Sequence, residues 1–150
     1  MLFLATMTAV IVARNNNGEV TSYPVVEMEF HPEANQVEYV ICPARIDDSI
    51  AKKAREIALK VVSDLDFVGL LAVEMFQTED DKILVNEVAP RPHNTVHYTQ
   101  DACAVSQFEN HLRAVCGLPL GDTSLSVGAA ASKYSVVNDF HGDISLNNSN

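Results

Sequence analysis

Basic residues are scarce in this 150-residue chain, which has ten Lys and Arg against twenty Asp and Glu and a formal net charge of −10. Such a composition argues against nucleic acid as a general partner, because no basic surface offsets the acidic balance. A nucleotide ligand is still compatible, since a local site can be positive within an acidic protein. Glycine is also sparse, and no glycine-rich loop or paired-lysine motif is present to cradle phosphates.

Cysteine and long apolar runs are equally limited. The cysteines Cys42, Cys103 and Cys116 are odd in number and far apart, which indicates reduced thiols of a cytoplasmic protein and not a disulfide framework. The apolar run 1–13 is too short to span a bilayer and lacks the basic residues that begin a signal peptide. We therefore expect a buried strand there and no membrane partner.

The pattern of apolar residues and turn signals predicts one α+β domain, a largely antiparallel sheet with helices against one face. The expected elements are strands at Ala9–Arg14, Glu19–Glu27 and Gln36–Cys42, a helix from the Asp47–Ser49 cap through Leu65, a strand hairpin over 69–88, and a helix from the Thr99–Asp101 cap to about Cys116. A tight turn at Asn15–Gly18 joins the first two strands, and Gly117 ends the last helix.

Two glutamates stand out because they interrupt the apolar strands of the hairpin, Glu74 in the run 69–76 and Glu87 in the run 82–88. A carboxylate among Ile, Leu and Val is costly to desolvate unless a cation or several donors meet it. The short connection predicts an antiparallel pair with both carboxylates on one face, and counting by twos places Glu87 with Ile83 and Val85. Paired carboxylates on adjacent strands suit magnesium held against a nucleoside triphosphate.

A loop with Arg91, His93, Asn94 and His97 follows the hairpin directly. Prolines on both sides stiffen the backbone at Arg91, whose guanidinium suits a planar anion such as bicarbonate or phosphate. The two histidines have the spacing of a helical zinc site, yet Pro92 disfavours a helix and no third ligand is near. The plain alternative is a solvent-facing edge strand followed by a surface loop, but the combination of groups favours a functional site.

Several motifs together resemble 5-(carboxyamino)imidazole ribonucleotide synthase, the ATP-grasp carboxylating enzyme of purine biosynthesis. They are Leu71-Ala-Val-Glu-Met-Phe76, Val85-Asn-Glu-Val-Ala-Pro-Arg-Pro-His-Asn94 and Ser106-Gln-Phe-Glu-Asn-His-Leu-Arg113. The resemblance runs from about residue 9 to residue 123. It implies that residues 1–123 are the C-terminal part of an ATP-grasp domain and that residues 124–150 are a divergent, poorly ordered tail.

The resemblance also implies a reaction, in which ATP and bicarbonate carboxylate 5-aminoimidazole ribonucleotide to 5-(carboxyamino)imidazole ribonucleotide. The implied cofactors are ATP and two magnesium ions, which manganese can replace. The implied roles are metal binding for Glu74 and Glu87, nucleotide binding for Asn86, Glu87 and His31, bicarbonate binding for Arg91, and contact with bicarbonate and the aminoimidazole for His93 and Asn94.

Departures from the family qualify these expectations. The family's phosphate-gripping lysines and N-terminal domain have no counterpart here, which predicts a fragment that is weak or inactive alone. The family's His-Asn-Ser-Gly-His reads His93-Asn-Thr-Val-His97, with the β-branched Val96 where glycine would allow positive φ. The alternative is a non-catalytic binding or assembly module that retains the half-fold. An apolar edge or partly exposed strand at 1–12 would promote self-association or a homodimer.

Overall fold

The computed structural model describes residues 4–33 and 36–133. Within these ranges seven strands form one antiparallel sheet. The strands are β1 (Leu4–Arg14), β2 (Val20–Ser22), β3 (Val26–Phe30), β4 (Val37–Cys42), β5 (Gly69–Thr78), β6 (Ile83–Ala89) and β7 (Ala130–Lys133). Their order is β6-β5-β1-β3-β4-β7, and β2 pairs with the end of β1. The predicted α+β fold on a largely antiparallel sheet is confirmed.

Helices lie on both faces of this sheet and not on one. The helical elements are α1 (Asp48–Asp64), a 3₁₀ turn (Asn94–Val96), α2 (Thr99–Ala102) and α3 (Gln107–Val115). Helix α1 packs Ile50 and Ala54 against a cluster that includes Val10 and Val73. The opposite cluster joins the other face of β1 and β5 to the segment that contains the 3₁₀ turn and α2. The helical segment after the hairpin therefore covers the face opposite α1.

Strand β1 lies in the middle of the sheet, between β5 and β3. Residues 9–13 are completely buried, and their side chains alternate between the two clusters. A strand covered on both faces is apolar at every position, which explains the continuous run Ala9–Ala13. The buried strand expected in this run is confirmed for Ala9–Ala13, and the expectation of an edge strand is wrong. Partial exposure holds for Thr6 and Met7. Among the described residues, the strand order ends at β6 on one side and at β7 on the other.

Two predicted elements are divided by tertiary contacts. The strand expected at Glu19–Glu27 is split into β2 and β3, because the segment between them turns the buried Tyr23 towards Val105, whose carbonyl accepts from the Tyr23 hydroxyl at 2.9 Å. The helix expected from Thr99 to Cys116 is broken between α2 and α3. There Cys103 pairs with Leu125 in an isolated bridge.

Helix α3 has its own start and stop signals. The Ser106 side chain accepts a hydrogen bond from the Glu109 amide at 3.2 Å, which makes Ser106 the N-cap. At the other end Gly117 has φ +68°, and the amide of Leu118 donates to the carbonyl of Arg113 at 2.8 Å. This is the left-handed glycine stop that the sequence predicts.

The segment after residue 123 also differs from the prediction. Strand β7 pairs antiparallel with β4, and the amide of Ser126 donates to the carbonyl of Ala102 at 2.8 Å. The expectation of poor order is therefore wrong for residues 124–133, and residues 134–150 lie outside the described part. Among the described residues, no helix combines the length and apolar character needed to cross a lipid bilayer.

Candidate active site

The hairpin of β5 and β6 brings the two glutamates together. In its register Glu74 and Glu87 are directly opposite each other. Residues directly opposite in an antiparallel pair project their side chains from the same face, with Cβ atoms about 4.5–5.5 Å apart. The predicted placement of both carboxylates on one face of an antiparallel hairpin is confirmed.

A β-bulge at Asn86 sets this register. Glu87 pairs with Glu74 and Val85 pairs with Met75, so that Asn86 is an extra residue on the β6 side. The Asn86 side chain lies close enough to the Glu74 carboxyl group to lower its pKa. The prediction that Glu87 shares a face with Ile83 and Val85 is wrong, because the extra residue shifts the alternation by one beyond it.

An apolar strip lies beside the carboxylate pair on the same face. Leu84 is opposite Phe76, Phe76 is opposite Met7, and Met7 is opposite Met28. Phe76 and Met7 are only partly buried and Leu84 is 38% exposed. The face therefore presents a pair of carboxylates next to the accessible side chains of Leu84, Phe76 and Met7.

The electrostatics of the pair favour a cation. The Glu74 side chain is only 12% exposed, and burial raises the pKa of its carboxyl group, with the Glu87 charge raising it further. The Arg91 charge and the Asn86 side chain act in the opposite direction and lower the pKa. The Arg91 charge compensates this largely buried carboxylate and its facing partner only in part, and a bound cation would supply the rest.

His93 lies against Glu74 on the other side. Its Nε2 is 3.6 Å from Oε1 of Glu74, and its Nδ1 is 2.9 Å from the Thr95 hydroxyl. Burial lowers the pKa of His93, and the charge of Arg91 lowers it further. Because the shift is downward from an ordinary value of 6.5, the imidazole is mainly uncharged at pH 7.

The remaining predicted loop residues stay close to this centre. Arg91 is exposed, its Nη1 donates to the carbonyl of Pro92 at 3.1 Å, and its charge reaches both Glu74 and His93. Asn94 is exposed at the first position of the 3₁₀ turn. The arrangement therefore places a cationic side chain and a neutral imidazole at one end of the carboxylate pair.

His31 is the one predicted site residue that the structure does not bring beside the glutamates. Ala9 pairs with both Glu74 and Val26, and His31 follows Val26 by five residues. At the rise of a strand this is roughly 17 Å along the sheet, and β1 lies between as well. Its role at the nucleotide stays a prediction.

The donor set fits magnesium. Within the described ranges, no group of three or more His, Cys, Asp and Glu side chains could hold one metal ion. What the site offers is two carboxylates, those of Glu74 and Glu87, with the Asn86 amide beside them. Magnesium is commonly held by one or two carboxylates, with water and substrate phosphates as the other ligands.

Sequence reasoning missed Gln107, a completely buried amide at the start of α3. Its side chain bonds the main chain of His93 through both amide atoms. The available signal was Ser106-x-x-Glu109, a capping box that starts a helix one residue before Gln107. That signal would have placed Gln107 in a first helical turn, directly after the histidine loop.

Comparison with known proteins agrees with this geometry. The sequence model of the ATP-grasp domain family matches residues 4–108 of this chain. The chain is 54% identical over 117 residues to N5-carboxyaminoimidazole ribonucleotide synthase of Bacillus subtilis, covering 78% of this chain and 30% of that protein.

Solved structures are also similar. N5-carboxyaminoimidazole ribonucleotide synthetase of Thermotoga maritima matches with a TM-score of 0.78 at 49% identity, over 87% of this chain and 34% of that one. The Aspergillus clavatus N5-carboxyaminoimidazole synthase, in complex with ADP and 5-aminoimidazole ribonucleotide, matches with a TM-score of 0.75 at 43% identity, over 83% and 33%. The chain spans about a third of the length of these proteins. It belongs to the ATP-grasp family.

Proposed function

We propose that this chain supplies the magnesium- and bicarbonate-binding part of a cytoplasmic enzyme of purine biosynthesis. The reaction is the ATP- and bicarbonate-dependent carboxylation of 5-aminoimidazole ribonucleotide to 5-(carboxyamino)imidazole ribonucleotide. The observation that carries the proposal is the directly opposed pair Glu74 and Glu87, with Arg91 and His93 at its end. The names of the similar proteins support the choice of substrate.

Glu74 and Glu87 would hold magnesium, with the Asn86 amide beside them at the bulge. The metal supplies positive charge that offsets the negative charge on the transferred phosphoryl group and on the leaving ADP. The apolar strip of Leu84, Phe76 and Met7 offers an apolar surface beside the carboxylates, suited to the purine base of the nucleotide.

The loop after the hairpin would hold the other reactants. Arg91 binds bicarbonate by paired hydrogen bonds, and His93 and Asn94 face bicarbonate and the aminoimidazole. A bicarbonate oxygen attacks the γ-phosphorus and ADP leaves, which gives carboxyphosphate. The substrate amine then forms the new C–N bond, phosphate leaves with the C–O bond electrons, and the amine loses a proton.

Titration calorimetry with ADP, with and without MgCl₂, tests the metal and nucleotide site. We expect Glu74→Gln and Glu87→Gln each to weaken magnesium-dependent ADP binding by about tenfold or more, the effect of losing one strong polar contact. Glu79→Gln is the matched control, because Glu79 is an exposed carboxylate in the turn of the same hairpin, and it should leave affinity unchanged.

The proposal is wrong if ADP binding persists at full strength in EDTA or in Glu74→Gln. A chain that binds no nucleotide and still associates through its sheet edge would instead support the non-catalytic assembly module. That alternative has one observation in its favour, the exposed Leu84, Val85 and Val88 on the edge strand β6.

A further inference from the structure

Gln107 connects helix α3 to the histidine loop by three close polar contacts. Its Oε1 accepts from the His93 amide at 2.8 Å, and its Nε2 donates to the His93 carbonyl at 2.8 Å. The same Nε2 lies 3.1 Å from Nδ1 of His97. The side chain is completely buried, so these bonds form away from competing water.

The double contact with His93 resembles the pairing between two strands, because one side-chain amide engages both the N–H and the C=O of a single residue. Such a contact fixes the position and the orientation of the His93 backbone together. Gln107 is itself held at its main chain, since its amide donates to the Thr99 hydroxyl at 3.1 Å and that hydroxyl donates to the Val96 carbonyl at 2.7 Å.

The placement of the His93 imidazole depends on this backbone. With Nδ1 against Thr95 and Nε2 at 3.6 Å from Glu74, a rotation of the His93 main chain would carry the ring away from the carboxylate pair. A catalytic arrangement tolerates little displacement of this kind.

We propose that Gln107 is the positioning residue of this site, which sets the His93 ring against Glu74 by holding the His93 main chain. The inference rests on the proposed function for its catalytic meaning. Gln107 touches neither the carboxylates nor, in our assignment, any reactant. It acts through His93, and its contribution is to keep the loop in one conformation.

Asn110 provides a matched control. It is also a completely buried amide on α3, one turn further along. Its Nδ2 donates to the Tyr23 hydroxyl at 2.8 Å, and its Oδ1 accepts from the Gly121 amide at 2.8 Å. Asn110→Ala therefore removes a buried amide of similar structural value without touching the histidine loop.

The experiment is nuclear magnetic resonance on the chain and on Gln107→Met, which keeps the length of the side chain and removes both polar atoms. We expect the His93 amide to exchange with solvent about tenfold faster or more, as when one ordinary buried hydrogen bond is lost. The ring nitrogen resonances of His93 should also shift. Asn110→Ala should change neither, although it lowers stability.

Unchanged exchange and unchanged ring resonances at His93 in Gln107→Met would overturn the proposal. If that variant does not fold, the wild-type chain decides the question. There the side-chain amide protons of Gln107 should exchange slowly and show a nuclear Overhauser effect to His93, and fast exchange without that effect would contradict the contact.

Calorimetry with magnesium and ADP separates this inference from the proposed function. Gln107→Met should bind Mg·ADP as the wild type does, because the carboxylates lie on the strands. Failure of the wild-type chain to bind Mg·ADP would refute the nucleotide site and leave the resonance result for Gln107 to stand by itself. Selective loss of Mg·ADP binding in Gln107→Met, with His93 unaffected, would refute the positioning role.

Discussion

Replacing Glu74 by glutamine should stabilise the metal-free protein. Glu74 is a buried carboxylate directly opposite Glu87 on the neighbouring strand, and without a bound cation the two charges repel each other. Glutamine has nearly the same shape, and its side-chain oxygen can still accept hydrogen bonds. The substitution therefore removes the repulsion and the burial of a charge while it keeps the packing.

The structure bounds the size of the effect. Favourable pairs directly opposite in an antiparallel sheet contribute roughly 0.2–1 kcal/mol, and we take the cost of two like charges there to be of the same order. Burial of the Glu74 carboxylate adds to this cost, and the Arg91 charge offsets part of it. The contact with His93 at 3.6 Å lowers the cost of the Glu74 charge only slightly, because the imidazole is mainly uncharged. We expect a net gain of about 0.5–1 kcal/mol in the free energy of unfolding, which corresponds to about 1–4 °C in Tm for a chain of this size.

Urea unfolding in EDTA measures this gain, with Glu79→Gln as the control that should stay within about 0.5 kcal/mol of the wild type. Because the pKa of Glu74 is raised above 4.5, the cost of its charge is present above the folded-state pKa and disappears as the pH falls through it. The advantage of glutamine should be present at pH 7 and shrink towards pH 4. A Glu74→Gln variant that is less stable than the wild type at pH 7 in EDTA would refute this reasoning.

Three further predictions follow from the fold and the site. Arg45 holds the pKa of Glu27 below 4.5, so this pair stabilises the protein above that pH and ceases to do so as the pH falls through the lowered pKa. Arg45→Met, which also loses the contact with Glu29, should be less stable than the wild type by urea unfolding at pH 7, and the difference should shrink as the pH is lowered below 4.5; a difference that stays constant as the pH falls would contradict the assignment. The 150 residues expressed by themselves should not release phosphate from ATP in a bicarbonate- and aminoimidazole-dependent manner, and turnover on the order of 1 per second would overturn this. Sedimentation at low micromolar concentration should show self-association of the chain through the β6 edge, where Leu84 and Val85 are exposed. Val85→Lys should reduce this association, and a wild-type monomer that binds no hydrophobic dye would argue against the prediction.

The hairpin and its facing glutamates were predictable because both signals are local. A short turn joins two β-rich runs, and a carboxylate in each run marks the same face. The bulge at Asn86 was not predictable by counting, because an extra residue is defined only by what lies opposite it on the partner strand. The prediction that Ile83 and Val85 share a face with Glu87 was therefore wrong, although the prediction that Glu74 and Glu87 lie on one face was correct.

Features that depend on contacts between distant parts of the chain were not predicted, for a related reason. The division of the second predicted strand depends on Tyr23, whose hydroxyl meets Asn110 far along the chain, and no local pattern reports that contact. Other features had local signals. The unbroken apolar run Ala9–Ala13 is typical of a strand buried on both faces and supported the expected buried strand, whereas Ser106 with Glu109, which marks a new helix start, was not used.

The central position of β1 has a consequence for synthesis on the ribosome. Its longest pairing is with β5, which extends from Leu4 opposite Thr78 to Arg14 opposite Gly69. Roughly 55 residues must be made between Arg14 and Gly69, which takes on the order of 3–10 s at ribosomal rates. During that interval one side of the most apolar strand has no partner within its own chain. We expect nascent chains of this length to depend on a chaperone or on fast formation of the β1–β3 pair.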